Sequence, residues 1–221
     1  LDYIINDTKV FNPTTNSSKL NIVPYVVTNE TFEEFFDENG NLKDTFKGYE
    51  MTFEGTISDK GISTINIDQP VVLNGSNATL VGFGINVTDD DVTIEGFTIN
   101  MTGNFAIVAD NADNLIISEN TINYVGNTTG SEINNAIRVS NSENVVVENN
   151  VLDISIPSTY VPWAEIPAGS GNWVSSPVSE GIVFDNCSEL ILAGNDIAVE
   201  YNSVVGAWDT IYAVDVKNSD N

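Results

Sequence analysis

Apolar and polar positions alternate in a short unit that returns along the chain. Its clearest copy is VVVENNVL, Val145 to Leu152, and altered copies are VTIEGFTI (Val92 to Ile99), LIISENTI (Leu115 to Ile122) and LILAGNDI (Leu190 to Ile197). The first, third and eighth places are apolar, with a small or polar pair between, and the sixth place is Asn120, Asn150 or Asn195 in all copies but the first, which has Phe97. Apolar alternation over three residues followed by a corner predicts a short half-buried strand that turns into another.

A second signature precedes each copy. AIRVSNSENV (Ala136 to Val145) matches AIVADNADNL, GIVFDNCSEL and the shorter GINVTDDDV, and AVDVKNSDN (Ala213 to Asn221) begins it once more. One unit is therefore strand, polar corner, strand, asparagine corner, strand and a connection of variable length. Three short strands per turn at a minimum period of about 22 residues predict an all-β chain wound as a right-handed single-stranded parallel β-helix, a solenoid. Equivalent residues then lie above one another. The expected inward columns are Ile85, Ile107, Ile137, Ile182 and Val214; Val92, Leu115, Val145 and Leu190; Ile94, Ile117, Val147 and Leu192; and Ile99, Ile122, Leu152 and Ile197. Asn120, Asn150 and Asn195 are expected to stack as an amide ladder at their corner, starting one coil after Phe97.

Ahead of the repeats the pattern changes. Residues 1 to 28 read as irregular and extended. TFEEFFDENGNLKDTF then offers Thr31 as a helix N-cap with Glu34 three places on, and puts Phe32, Phe35 and Phe36 on one helical face. Gly40 is the expected end of that turn, and Leu42 to Phe46 a second short one. The expected organisation is an N-terminal extended segment and short helical cap over residues 1–48, followed by the parallel β-helix over 49–221. The cap would cover the open first coil, whose unpaired strand edges otherwise invite aggregation. Because Ala213 to Asn221 starts a coil without its second strand, the native chain is expected to continue as a longer polypeptide.

The coils differ mainly in their third connection. It is short after Ile99, longer after Ile122, longest after Leu152 (the insertion 153–180), and of medium length after Ile197. Insertions at one point of a coil emerge on one side of a solenoid. That side is expected to carry Tyr124, Tyr160, Trp163, Trp173, Tyr201 and Trp208, which include every tryptophan of the chain. Tyr160, Trp163, Trp173, Tyr201 and Trp208 are the candidate ligand-binding face, suited to sugar rings or a protein partner. The prolines of the long insertion also allow the aromatics to be its own satellite core.

Charge removes one class of partner. Seven basic residues against 32 acidic ones leave a net charge of −25 with no histidine, and phosphate binding needs clustered Lys and Arg, so nucleic acid is excluded. Between Phe83 and Thr210 the only cation is Arg138. A lone Cys187 forms no internal disulfide and no cysteine cluster suggests a metal. No run of about 18 apolar residues marks a membrane segment, and the first residues do not resemble a signal peptide.

Carboxylates gather at the first corner: Asp89 to Asp91, Asp110, Asp113, Glu143, Asp185 and Glu189. Stacked corners could attract Ca²⁺, but asparagines are interspersed and no spacing matches a calcium motif, so no cofactor is expected. Asn6, Asn16, Asn29, Asn74, Asn77, Asn86, Asn100, Asn127 and Asn186 each open an N-glycosylation sequon. As a group they fit a secreted glycoprotein at a cell surface or cell wall.

The capping segment TFEEFFDENGNLKDTF, the coil ISTINIDQPVVLNG and repeats such as NSENVVVENNVL resemble the large adhesin-like surface proteins of methanogenic archaea, themselves similar to pectate-lyase-type β-helices. The resemblance spans roughly residues 29 to 221. It implies a non-catalytic, extracellular structural protein for cell adhesion, a rigid stalk that presents a glycan- or partner-binding face. The same fold also serves polysaccharide lyases and glycoside hydrolases. By resemblance, a lyase would need an arginine base beside Ca²⁺-binding carboxylates, and the expected column neighbours of Arg138 (Asn86, Val108, Val183, Asp215) make a poor cradle. A polygalacturonase-like site would need histidine, which is absent, so no catalytic residue is assigned.

Overall fold

A computed structural model describes residues 25–76, 78–103, 105–126, 134–157, 179–202 and 211–219. Among the described residues nineteen strands form three sheets, and every strand pairing is parallel. The first sheet runs β1 (Tyr25–Val27), β2 (Glu50–Phe53), β5 (Val71–Asn74), β8 (Val92–Glu95), β11 (Ile116–Ser118), β14 (Glu143–Glu148) and β17 (Ser188–Ala193). The second runs β4 (Thr64–Ile67), β7 (Gly84–Val87), β10 (Phe105–Asp110), β13 (Asn134–Ser140), β16 (Ser179–Asp185) and β19 (Ile211–Lys217). The third runs β3 (Thr56–Ile57), β6 (Thr79–Val81), β9 (Thr98–Gly103), β12 (Thr121–Gly126), β15 (Val151–Pro157) and β18 (Asp196–Asn202). Each strand pairs with the strand one coil away, which makes the chain a parallel β-helix.

The register is the one that the repeats spell out. Ile107 sits between Ile85 and Ile137, Ile117 between Ile94 and Val147, and Ile122 between Ile99 and Leu152. All of these side chains are buried, and together with Phe53, Phe83, Phe97 and Phe184 they form one continuous core. A polypeptide ribbon wound this way satisfies its backbone groups with the coil above and below while its alternate side chains fill the middle.

Corners explain why asparagine is so common. Asn111, Asn141, Asn186 and Asn218 at the first corner have φ near +50°, as do Asn114 and Asn144. At the second corner Gly96, Glu119, Asn149 and Gly194 take the same left-handed conformation, one residue before the ladder position. Asparagine and glycine enter that region most cheaply, so each coil spends them where the ribbon turns.

The N-terminal end departs from the sequence reading in three ways. Tyr25–Val27 is a strand that extends the first sheet through Met51, Thr52 and Phe53, so the ladder starts before residue 49. The helical cap is one turn, α1 (Phe32–Phe35), with Phe32, Phe35 and Phe36 buried, followed by a 3₁₀ turn, η1 (Asp44–Phe46). Its expected capping box does not form: the Thr31 hydroxyl donates to the Val26 carbonyl at 3.1 Å and accepts the Thr28 N–H at 2.9 Å, tying α1 to β1 instead. Gly40 lies beyond the helix, in a later turn at φ +80°, where a Cβ would strike the Thr64 carbonyl. The cap is fixed by aromatic packing, with Phe36 stacked on Phe32 at 4.7 Å and reaching Phe53 at 6.3 Å.

Candidate functional site

Asn120, Asn150 and Asn195 stack as a ladder. Asn120 Nδ2 donates to Asn150 Oδ1 at 3.0 Å, and Asn150 Nδ2 to Asn195 Oδ1 at 2.9 Å. Each amide oxygen also accepts the backbone N–H of the coil before it, from Phe97, Asn120 and Asn150 in turn. Asn120 and Asn150 are fully buried. The ladder closes the backbone bonding of a corner, and its members Asn120 and Asn150 have no surface through which to act on a ligand.

The outer face of the second sheet is different. Phe105, Asn135, Glu180 and Tyr212 form one row across β10, β13, β16 and β19; Val108, Arg138, Val183 and Asp215 form the next; Asp110, Ser140, Asp185 and Lys217 form the last, and of these Asn135, Glu180 and Val183 are buried. A cleft of about 490 Å³ opens there, lined by residues of all three rows and by the corner amides Asn141 and Asn186. The variable connections after β12, β15 and β18 lead back into β13, β16 and β19, so they rejoin the helix at the edge of this face.

Arg138 stands in the middle of the cleft. Its guanidinium lies 3.8 Å from Asp185, and the two side chains are 37% and 33% exposed, which makes this a loose, solvent-screened pair. Asp110 is held more firmly: Ser140 Oγ and Asn141 Nδ2 donate to its Oδ1 at 3.0 and 2.7 Å, and Asn111 Nδ2 to its Oδ2 at 2.9 Å. Asn186 Nδ2 donates to Asn141 Oδ1 at 2.8 Å, continuing the row to the next corner.

Beside the cleft, Glu180 is buried with its side chain 2% exposed, and it bonds Lys217 at 2.7 Å and Asn135 at 2.9 Å. Lys217 also pairs with Asp215 at 2.8 Å. The hydrogen bond from Lys217 holds the Asp215 carboxyl below its ordinary range, and the same bond raises Lys217 above its own.

The other sequence candidates fall as follows. Tyr160, Trp163, Trp173 and Trp208 lie outside the described residues. Tyr201 belongs to β18, paired through its backbone with Ile156, and its side chain also lies outside that description. Tyr124 is not part of an exposed aromatic side: it is buried, with its hydroxyl on the Gly103 carbonyl, and burial pushes its phenol far up.

Of the sequons, Asn6, Asn16, Asn77 and Asn127 lie outside the described residues. Asn29 accepts the Ser58 N–H at 3.1 Å, and Asn100 accepts from Asn123 Nδ2 at 2.7 Å. Asn74, Asn86 and Asn186 donate their amides to Glu50, Asn66 and Asn141.

The first-corner carboxylates turn toward their own ladder. Asp90 Oδ1 accepts the Asp113 N–H, Asp113 Oδ1 the Glu143 N–H, and Asp91 Oδ1 the Asn114 amide. Among the described residues no group of three or more His, Cys, Asp or Glu is placed to hold a metal ion. Cys187 is buried at the same corner with its thiol facing the Val139 carbonyl, and burial raises its pKa. Among the described residues no helix is long and apolar enough to cross a membrane.

Sequence reasoning singled out Arg138 but not its cleft. Asp110 and Asp185 are grouped there only as first-corner carboxylates, and Phe105, Ser140 and Asn141 come from two different repeats, so only the stacking brings them together. Compared with known proteins, the chain matches no family model, no curated protein and no solved structure.

Proposed function

We propose that the chain is a non-catalytic β-helical segment of an adhesin-like surface protein, a stiff support whose recognition face is the outer side of the second sheet. One observation carries this reading: the only cation over more than half of the sequence, Arg138, sits in a polar cleft at the edge where the variable connections rejoin the helix. A rigid ladder that carries connections of variable length is the arrangement by which scaffolds present binding residues. The sequons and the strong negative charge agree with an extracellular setting and a soluble, non-associating rod. The rest of a longer polypeptide and a cell-surface glycan or protein ligand are the partners this reading implies.

The test is adhesion of the purified protein to cells and to immobilised glycans. Wild type binds, and Arg138→Met or the pair Trp163→Ala and Trp173→Ala reduces binding. Equal binding by all variants would overturn the recognition face.

A second reading has its own observation. Asp110 and Asp185 flank Ser140 in one row, two strand spacings or about 9.6 Å apart between backbones, and a pair of carboxylates can serve glycoside hydrolysis. Both carboxylates are engaged by neighbouring amides, Asp110 by Asn111 and Asn141 and Asp185 by Asn218, which disfavours a general acid and a water-activating base. Incubation with polygalacturonate and with neutral polysaccharides, followed for reducing ends and unsaturated product, decides it. Turnover abolished by Asp185→Asn would replace the adhesive reading with an enzymatic one.

A further inference from the structure

We propose that the cleft of the second sheet takes a neutral, hydroxyl-rich saccharide in preference to an acidic one, with Arg138 as the deciding contact. The inference rests on the recognition reading above and supplies its ligand class.

Size and shape come first. A volume of about 490 Å³ lies within the range of small-molecule sites. Along β10 the cleft extends from Phe105 to Asp110, about 16 Å at the usual rise per strand residue. Phe105 and Val108 supply apolar contacts on the β10 side, with Val108 directly beside Arg138, and an aromatic face suits the C–H side of a sugar ring. The rest of the lining is polar.

The polar groups there are of mixed kind. Arg138 offers a planar fork of donors only loosely engaged by Asp185 at 3.8 Å. Ser140, Asn141 and Asn186 bring groups that both donate and accept, and the Asp185 carboxylate accepts. A sugar hydroxyl also donates and accepts at once, so neighbouring hydroxyls match such a set.

Charge then selects among saccharides. Within the cleft Arg138 is outnumbered by Asp110 and Asp185, and the whole chain carries −25. A sugar carboxylate would have to displace Asp185 from Arg138 while still facing Asp110, at a site already negative on balance. A neutral hydroxyl pair can use the free edge of the fork without breaking the Arg138–Asp185 contact.

Other occupants fit less well. The backbones of β10 and β13 are bonded to neighbours on both sides, so no strand edge is open here for a peptide to extend. A cation would meet Asp110 with both oxygens bonded by Asn111, Asn141 and Ser140, and Asp185 with Oδ1 bonded by Asn218 and the Arg138 guanidinium beside Oδ2.

The experiment is calorimetric titration, at 0.15 M salt as the reference condition, of neutral oligosaccharides and their uronic-acid counterparts into wild type, Arg138→Met, Arg138→Lys and Phe105→Ala. Circular dichroism melting confirms that each variant folds. The expected result is binding of a neutral oligosaccharide that weakens about tenfold or more in Arg138→Met, as for loss of a charge-assisted hydrogen bond. Arg138→Lys is expected to fall between, and the uronate form to bind more weakly than its neutral counterpart.

Tighter binding of the uronates, or unchanged affinity in Arg138→Met, would overturn the inference. Sugar binding lost only in Trp163→Ala with Trp173→Ala would remove the cleft and keep the adhesive reading. Attachment to cells without affinity for any saccharide removes the ligand class alone, whereas loss of both removes both proposals.

Discussion

At the N-terminal end of the helix Phe32 and Phe36 are 2% and 1% exposed, packed over the first coils, whereas in the last coil Leu192 is 40% exposed and Val216 54%. Leu192 occupies the same column as Ile117 and Val147, which are fully buried. The residue type and register are alike, so the difference lies in the layer beyond. Among the described residues the first coil has one, made by α1, η1 and β1, and the last coil has none. In a solenoid a side chain is core only when a coil or a cap lies on each side of it.

The largest expected effect follows directly. Phe36→Ala is expected to destabilise the fold by about 3–5 kcal/mol, as large-to-small changes in a closed core do. Leu192→Ala, the same kind of change at a position that is 40% exposed, is expected to lose less than about 1.5 kcal/mol, because water already reaches the site. Urea unfolding of both variants checks the contrast, and equal losses would remove it.

The amide ladder repeats the comparison with polar groups. Asn150→Ala leaves the Asn120 N–H and Nδ2 and the Ile117 carbonyl without their partner in a buried corner, for an expected loss of at least about 3 kcal/mol, the lower limit for three groups at about 1–3 kcal/mol each. Asn195→Ala, at a half-buried corner of the last coil, is expected to lose about 1 kcal/mol, since water can replace the amide. Denaturant midpoints of the two variants measure the ratio.

The most local effect concerns how β19 is held on the last described coil. Lys217 is 41% exposed but pairs with the buried Glu180, so Lys217→Met is expected to cost about 1–2 kcal/mol after solvent screening of the pair. Faster hydrogen exchange in β16 and β19, with β7 and β10 unchanged, is the signature. The pH dependence has two limbs. Asp215 is held below its ordinary 3.8 chiefly by the bond from Lys217, so its contribution is present above that pH and is lost as pH falls through the lowered value. Lys217 is raised above 10.5 chiefly by Asp215, so its contribution is complete below 10.5 and lost as pH climbs past the raised value. Exchange protection of β19 is therefore expected to hold between these limits and to fall at both extremes.

What could be read from the sequence was whatever repeats. Val92, Leu115, Val145 and Leu190 are recognisable because inward positions recur against a fixed asparagine corner, and the ladder of Asn120, Asn150 and Asn195 followed from the same frame. The cap was legible as a phenylalanine face, since Phe32, Phe35 and Phe36 are spaced for a helix. Its fastening was not: Thr31 pairs with Thr28 and Val26 rather than with Glu34, a tertiary choice that a local motif does not encode. Strand β1 escaped notice because three residues without a corner carry no periodicity. The cleft was hidden for the opposite reason, since its members are ordinary within each repeat and meet only when coils stack.

That stacking is also the most directly measurable proposition. Thr56, Thr79, Thr98, Thr121, Val151 and Asp196 follow one another in register across the third sheet. Spin labels at Thr56→Cys and Asp196→Cys, in a Cys187→Ser background, are therefore separated by five strand spacings, a backbone distance of about 24 Å. Moving the second label to Val151→Cys is expected to shorten a single narrow distance by one spacing, about 4.8 Å. A broad distribution, or no change when the label moves one coil, would contradict the stacked helix and the cleft that depends on it.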